Sequence, residues 1–172
     1  MSEPSANEAA PLSFGERLAN SQVFSDLFRD GMTLVEETAS YLDGPGRHES
    51  KKLDRTAALS YATESMRLTT RLMQLASWLL LHRAVKEGEM SLAQASKEKG
   101  KIKLATLDTT DEKAIKQLPE RLQSLISRSR ALQLSVRRLD ATMHATTDLT
   151  RMRTSNPVER QIGLLKAAFE RE

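Results

Sequence analysis

The chain has 172 residues, of which 39% are hydrophobic and 28% are charged, and its formal net charge is +3. This length is sufficient for one domain with a buried core, and the absence of cysteine excludes disulfides, thiolate metal sites and a cysteine nucleophile. Residues 1–11 lack an apolar run and a basic start, and the longest apolar stretch, residues 78–81, is too short to cross a bilayer, so we expect a soluble cytoplasmic protein.

The first long helix is predicted over residues 21–42, after a Ser-, Glu- and Ala-rich segment, residues 1–13, that is predicted to be disordered. Apolar residues in this helix recur at spacings of three and four. Gly31 and Thr38 lie on the same stripe, so a neighbouring helix could approach closely there. The sequence Asp43-Gly44-Pro45-Gly46 then breaks the helix. The stripe consists of Phe24, Leu27, Phe28, Leu34, Val35, Tyr41 and Leu42.

The second long helix is predicted over residues 54–87, with Asp54 as a favourable N-cap. It carries two adjacent, mostly apolar stripes. With Trp78 and Leu81 added, its second half is apolar almost all round, which is typical of a helix that is buried on most sides. One stripe is Tyr61, Ser65, Leu68, Leu72, Leu75 and Leu79, and the other is Ala62, Met66, Thr69, Met73, Ala76 and Leu80.

The third long helix is predicted over residues 119–150 and carries a heptad seam that one serine interrupts. Between the second and third helices, Gly88 is expected to end a helix, residues 91–99 predict a short helix capped by Ser91, and residues 97–111 read as a charged loop. The seam consists of Leu118, Leu122, Leu125, Ser129, Leu132, Val136, Leu139 and Met143.

Residues 154–172 are predicted to form a mobile tail, because Asn156-Pro157 breaks the third helix. The tail has one apolar side, and such segments typically fold into a partner's groove on binding. Docking of the tail on its own bundle is an equally good interpretation. The candidate partner-binding residues are Ile162, Leu165 and Phe169.

These elements predict an all-α, elongated three-helix bundle over residues 14–153. The second helix has more apolar surface than two neighbouring helices can cover, which favours a homodimer. The alternative is that the other helices, together with residues 91–99, cover this surface. The predicted dimer interface is Leu72, Leu75, Trp78 and Leu79.

No catalytic or metal-binding pattern is recognisable in the sequence. His48, His82 and His144 lie far apart in three segments, and none has a glutamate three residues before it. No glycine-rich phosphate-binding loop follows a strand. His82, near the end of the second helix, is interpreted as a cation that the helix C-terminus favours. We therefore predict a protein that is not an enzyme and that has no metal or cofactor.

Charge is distributed unevenly, since the first 50 residues contain nine acidic and three basic side chains. This predicts either complementary helices within the bundle or two oppositely charged surfaces for partners. The basic third helix leaves a nucleic-acid-associated function open as an alternative, although no DNA- or RNA-binding motif is recognisable. Its arginines are Arg121, Arg128, Arg130, Arg137, Arg138, Arg151 and Arg153.

Two blocks of sequence, residues 31–47 and 61–81, resemble the bacterial family of regulators of CtrA degradation, the RcdA family. The similarity is close over about residues 14–94 and weak after Lys97. The resemblance implies a three-helix-bundle homodimer with a mobile C-terminal tail and without catalytic residues.

The resemblance also implies an adaptor of the ClpXP protease that promotes regulated proteolysis. Such an adaptor joins the response regulator CpdR, docked on the ClpX unfoldase, to its cargo or to a second adaptor that binds cyclic di-GMP. The expected cargo includes the cell-cycle transcription factor CtrA, and members of the family gather at a cell pole. The resemblance carries no binding residue of the family over to this sequence.

Overall fold

The computed structural model describes residues 14–102 and 111–154, with side chains described for residues 16–102 and 111–145. Every regular element in these ranges is a helix, which confirms the predicted all-α fold. The helices are α1 (Phe14–Ala19), α2 (Gln22–Asp43), α3 (Pro45–Ser50), α4 (Arg55–Lys86), α5 (Leu92–Lys99), α6 (Glu112–Lys116) and α7 (Glu120–Thr154). None of them is long and apolar enough to span a membrane.

The long helices α2 and α4 begin where capping side chains satisfy free backbone N–H groups. The Ser21 hydroxyl accepts a hydrogen bond from the N–H of Phe24 at 3.3 Å, and the Asp54 carboxylate accepts one from the N–H of Ala57 at 2.8 Å. Ser91 caps α5 through a reciprocal bond with Gln94. The predicted helix starts are therefore confirmed, because capping depends on residues close in sequence.

The core lies between α2, α4 and α7, and α1 packs across α4 and α7. All eight residues of the predicted α7 seam are buried, as are Ile126 and Gln133 beside it. The predicted close approach at Gly31 is also confirmed, since a Cβ atom there would lie 2.5 Å from Leu79 Cδ1. The centre of the molecule is therefore built from α2, α4 and α7, with α1 packed against two of them.

Three short helices, α1, α3 and α6, were not predicted. The break at Asp43-Gly44-Pro45-Gly46 turns the chain into α3 with Pro45 at its first position, a place that proline tolerates well. Gly88 ends the α4 region with a φ of 76°, as expected of a left-handed helix stop. The predicted loop over residues 97–111 is helical up to Lys99, and residues 103–110 lie outside the described residues.

The predicted disordered segment, residues 1–13, and most of the predicted tail lie outside the described residues. Thr154, the first residue of the predicted tail, is the last residue of α7. The Asn156-Pro157 break and the candidate partner-binding residues Ile162, Leu165 and Phe169 follow it and are not described.

Candidate functional site

The outward side of α4 carries four large apolar side chains that solvent can reach. They recur every seven residues, so they lie in one line along the helix. At ~1.5 Å per residue the line is about 32 Å long. Their exposed fractions are 70% for Leu59, 72% for Met66, 65% for Met73 and 53% for Leu80. We call this line, with the small residues between its members, the α4 face.

The small residues of the α4 face add little polarity. The hydroxyls of Thr63, Thr69 and Ser77 donate to α4 carbonyls four residues earlier, at 3.0, 2.8 and 2.8 Å respectively. These donors are therefore already satisfied and do not require a polar partner. No charged residue occupies the line between Leu59 and Leu80. The α4 face is suited to contact another apolar surface.

A groove of about 310 Å³ between α2 and α4 borders the α4 face. Met73 and Thr69 belong to both, so the face and the groove form one continuous surface. Leu42 and Val35 supply the opposite wall from α2. The hydroxyl of Thr38, also on the wall, is buried and without a hydrogen-bond partner among the described residues.

The four residues predicted for the dimer interface do not lie on the surface of the chain. Leu72, Leu75, Trp78 and Leu79 are 4% exposed or less, because α2 and α7 cover them within one chain. Leu72, Leu75 and Leu79 belong to the inner of the two predicted stripes, and Trp78 lies beside it. A second copy could not reach these residues without opening the bundle. The outer stripe, which contains Met66, Met73 and Leu80, is the one left exposed. The dimer itself stays a prediction.

Several basic side chains of the later helices are engaged within the molecule. Arg128 of α7 forms an ion pair with Glu37 of α2 at 2.7 Å. The guanidinium of Arg121 lies over the Tyr41 ring at 5.4 Å, and that of Arg83 lies over Phe28 at 4.9 Å. The Arg128–Glu37 pair favours the interpretation that the acidic first helix and the basic later helices complement each other, and the two ring contacts hold further arginines against α2. The side chains of Arg151 and Arg153 lie outside the described residues.

A polar cluster joins α4, α5 and α7 inside the bundle. His82 is fully buried and stacks on Trp78, with ring centroids 4.0 Å apart. The Trp78 indole donates to Asp140 Oδ1 at 2.9 Å. His144 Nε2 lies 3.3 Å from the same oxygen, and the Lys99 ammonium forms an ion pair with Asp140 Oδ2.

This cluster overturns two sequence-based interpretations. His82 is not a helix-end cation, because burial lowers the pKa of its imidazole and leaves the ring neutral at neutral pH. His82 and His144 are not isolated either, because both lie beside Asp140. The contact between residues 82 and 144 joins two helices and was not visible in sequence. One available signal was the spacing of Asp140 and His144, four residues apart on one helix face. His48, on α3, is exposed and separate.

The described residues define an all-helical bundle protein with an exposed apolar helix face suited to protein contacts. The family model for a protein of unknown function, DUF1465, matches residues 15–169. The crystal structure of RcdA from Caulobacter crescentus CB15 is 52% identical in sequence, with a TM-score of 0.61, over 74% of this chain and 96% of that one. No protein of curated function matches the chain. The chain therefore belongs to the RcdA family.

Proposed function

We propose that this chain is a non-enzymatic adaptor that delivers cargo to the ClpXP protease. The observation that carries the proposal is the 52% identity to RcdA over 96% of the RcdA chain. In the proposed role the chain joins the response regulator CpdR, docked on ClpX, to cargo such as CtrA or to a cyclic-di-GMP-binding adaptor. Cytoplasmic location and concentration at a cell pole belong to the same proposal.

Two features of the chain are suited to binding other proteins, and both support an adaptor function. The α4 face offers uncharged area on a rigid helix, and the adjoining groove is apolar apart from Asp43 and two threonines; rigid helices lose little entropy when they bind. The tail after Thr154 supplies a second, one-sided apolar segment in the sequence, with Ile162, Leu165 and Phe169 as proposed contacts. Two separate binding elements on one chain suit a protein that brings partners together.

Reconstituted degradation tests the proposal. Purified ClpX, ClpP, CpdR, the cyclic-di-GMP-binding adaptor and CtrA are combined with and without this chain, and the rate of CtrA loss is followed. We expect degradation to accelerate only when the chain and CpdR are both present. Degradation that does not respond to the chain, together with salt-sensitive retardation of a DNA fragment by the chain, would instead support the nucleic-acid alternative.

The same assay tests the tail. We expect a chain truncated after Ser155 to unfold at nearly the same temperature as the full chain, because an isolated helix of about 15 residues is marginal in water. Delivery of cargo should weaken, since the apolar side chains of the tail are then missing. A large drop in melting temperature would show that the tail packs as a structural element. Unchanged delivery would place partner binding on the helical faces alone.

A further inference from the structure

His82, Asp140 and His144 bring two imidazoles and one carboxylate together from two helices that are far apart in sequence. One ligand-type atom from each residue lies within 4.8 Å of the others. His144 Nε2 and Asp140 Oδ1 are already 3.3 Å apart. Bond lengths of about 2.0 to 2.2 Å at zinc place neighbouring ligands of a tetrahedron about 3.3 to 3.6 Å apart. The pair on α7 therefore has the spacing of a coordinated pair, and His82 would have to move inward by up to about 1.5 Å to complete the set.

The hydrogen bonds of both imidazoles direct their Nε2 atoms into the cluster. His82 Nδ1 lies 2.9 Å from the Trp78 carbonyl, which accepts only from a protonated nitrogen. The neutral ring then carries its lone pair on Nε2, an atom that is buried and has no hydrogen-bond partner among the described residues. His144 Nδ1 lies 3.3 Å from the Ser96 hydroxyl. Its Nε2, which is 3.3 Å from Asp140 Oδ1, is likewise buried and has no hydrogen-bond partner among the described residues.

This pattern is the one found around metal ions in proteins. A metal-binding histidine normally donates its second ring N–H to a carbonyl or another oxygen, and a ligating carboxylate is itself hydrogen-bonded. Here the Trp78 carbonyl, the Ser96 hydroxyl and the Trp78 indole occupy those outer positions. We propose that His82, Asp140 and His144 form a binding site for one divalent transition-metal ion of the zinc class.

Lys99 weakens the affinity of the proposed site for a metal ion. Its ammonium forms an ion pair with Asp140 Oδ2, while the oxygen nearest His144 is Oδ1. A cation already beside the carboxylate opposes a second cation electrostatically, so the ion and Lys99 compete. Lys99 is partly exposed and lies at the end of α5, which lets its side chain turn outward. When metal binds, α4 and α7 become cross-linked and α5 loses one contact to α7.

Metal titration of tag-free, chelator-treated protein tests the proposal, with Zn²⁺ measured by competition against a chromophoric chelator and Co²⁺ measured by its visible absorption. We expect one equivalent of Zn²⁺ per chain, a tetrahedral-type Co²⁺ spectrum and a rise in melting temperature with metal. His144→Ala should weaken binding by more than about tenfold, since even outer-shell changes cost about 10- to 100-fold. Lys99→Met should tighten binding.

His48→Ala is the matched control, because it removes a histidine that is exposed and outside the cluster. This variant should bind Zn²⁺ like the unchanged chain. The proposal fails if no saturable binding is found, or if binding is lost in His48→Ala and retained in His144→Ala. Circular dichroism checks that each variant is folded. Should His144→Ala unfold, the Co²⁺ spectrum of the unchanged chain and the response of Lys99→Met decide the question.

Discussion

Ser129 interrupts the apolar seam of α7 because its hydroxyl is hydrogen-bonded on both sides. The Arg71 guanidinium of α4 donates to it at 2.8 Å, and it donates to the Ile126 carbonyl at 2.7 Å. Arg71 is only 6% exposed, so its charge lies inside the bundle. A buried cation requires hydrogen-bond acceptors in fixed places. The serine therefore helps to fix how α4 and α7 align.

We predict that Ser129→Ala lowers the free energy of unfolding. The variant removes an acceptor from a buried charged donor, and such bonds contribute about 1.5 to 3 kcal/mol. Denaturation in urea measures the change. Ser127→Ala is the matched control, because Ser127 is an exposed serine two residues earlier on the same helix. Equal stability of the two variants would contradict the role assigned to Ser129.

Like Arg71 and Ser129, Tyr41 has a polar group inside the core. Its hydroxyl donates to Glu49 at 2.6 Å, and its side chain is fully buried. Burial, reinforced by the Glu49 carboxylate, raises the pKa of Tyr41 above its ordinary value. Burial also raises the pKa of the neighbouring Tyr61. The folded chain therefore holds these phenol protons at a pH where the unfolded chain releases them.

A raised phenol pKa predicts alkaline destabilisation. Below the unfolded-state pKa of about 10 both states are protonated, and the contribution of Tyr41 to stability is complete. Above that pH the unfolded state binds fewer protons, so stability falls as pH increases. Urea denaturation between neutral and alkaline pH measures the slope. Tyr41→Phe should have a shallower slope, and an unchanged slope would contradict this account.

The long helices could be predicted from the sequence, whereas the short helices that pack against them could not. The bounds of α2, α4 and α7 follow from apolar period and from caps such as Ser21 and Asp54, which are local signals. The helices α1, α3 and α6 have five or six residues, too few for a period to be recognised. Their formation depends on packing against the long helices, which sequence alone does not reveal.

The two stripes of α4 show where sequence-based prediction ends. Both are similar in composition, and which one is buried depends on the positions of α2 and α7. The structure buries the stripe that contains Leu75 and exposes the stripe that contains Met73. The residues predicted for a dimer interface therefore lie on the buried side of α4, and the dimer stays a prediction. The contact of His82 with Asp140 was missed for the same reason, because it depends on how two distant helices align.

We predict that the N-cap of α4 contributes more to the stability of the folded chain than the N-cap of α6. Asp54→Ala removes the acceptor for the Ala57 N–H, and loss of such a cap costs about 0.5 to 2 kcal/mol. Asp111→Ala removes a similar acceptor, for the Lys113 N–H. Because α6 is five residues long and has no fully buried side chain, it can fray without opening the core. Thermal unfolding of both variants should show the larger shift for Asp54→Ala, and equal shifts would contradict the prediction.

In the assembled molecule, the α4 face is expected to be covered by a partner surface. An uncharged line of four large side chains is unusual on a surface that remains in water. Symmetric dimers are the commonest protein assemblies, and a twofold axis would pair this line with itself. The seven-residue spacing is also the one at which two helices pack side by side. We therefore expect a homodimer through the α4 face rather than through the buried Leu75 stripe.

The double variant Met66→Lys, Met73→Lys tests this expectation by light scattering at micromolar concentration. We expect the unchanged chain to be a dimer and the variant a folded monomer, because two like-charged rows would meet across the axis. Val23→Lys is the matched control: Val23 and Met73 are both 65% exposed, but Val23 lies on α2, so this variant should remain dimeric. Leu75→Asp should unfold the chain instead of dissociating it, since Leu75 is 1% exposed within a single copy. An unchanged chain that is monomeric under these conditions, or a double variant that stays dimeric, would rule out the α4 face as the interface.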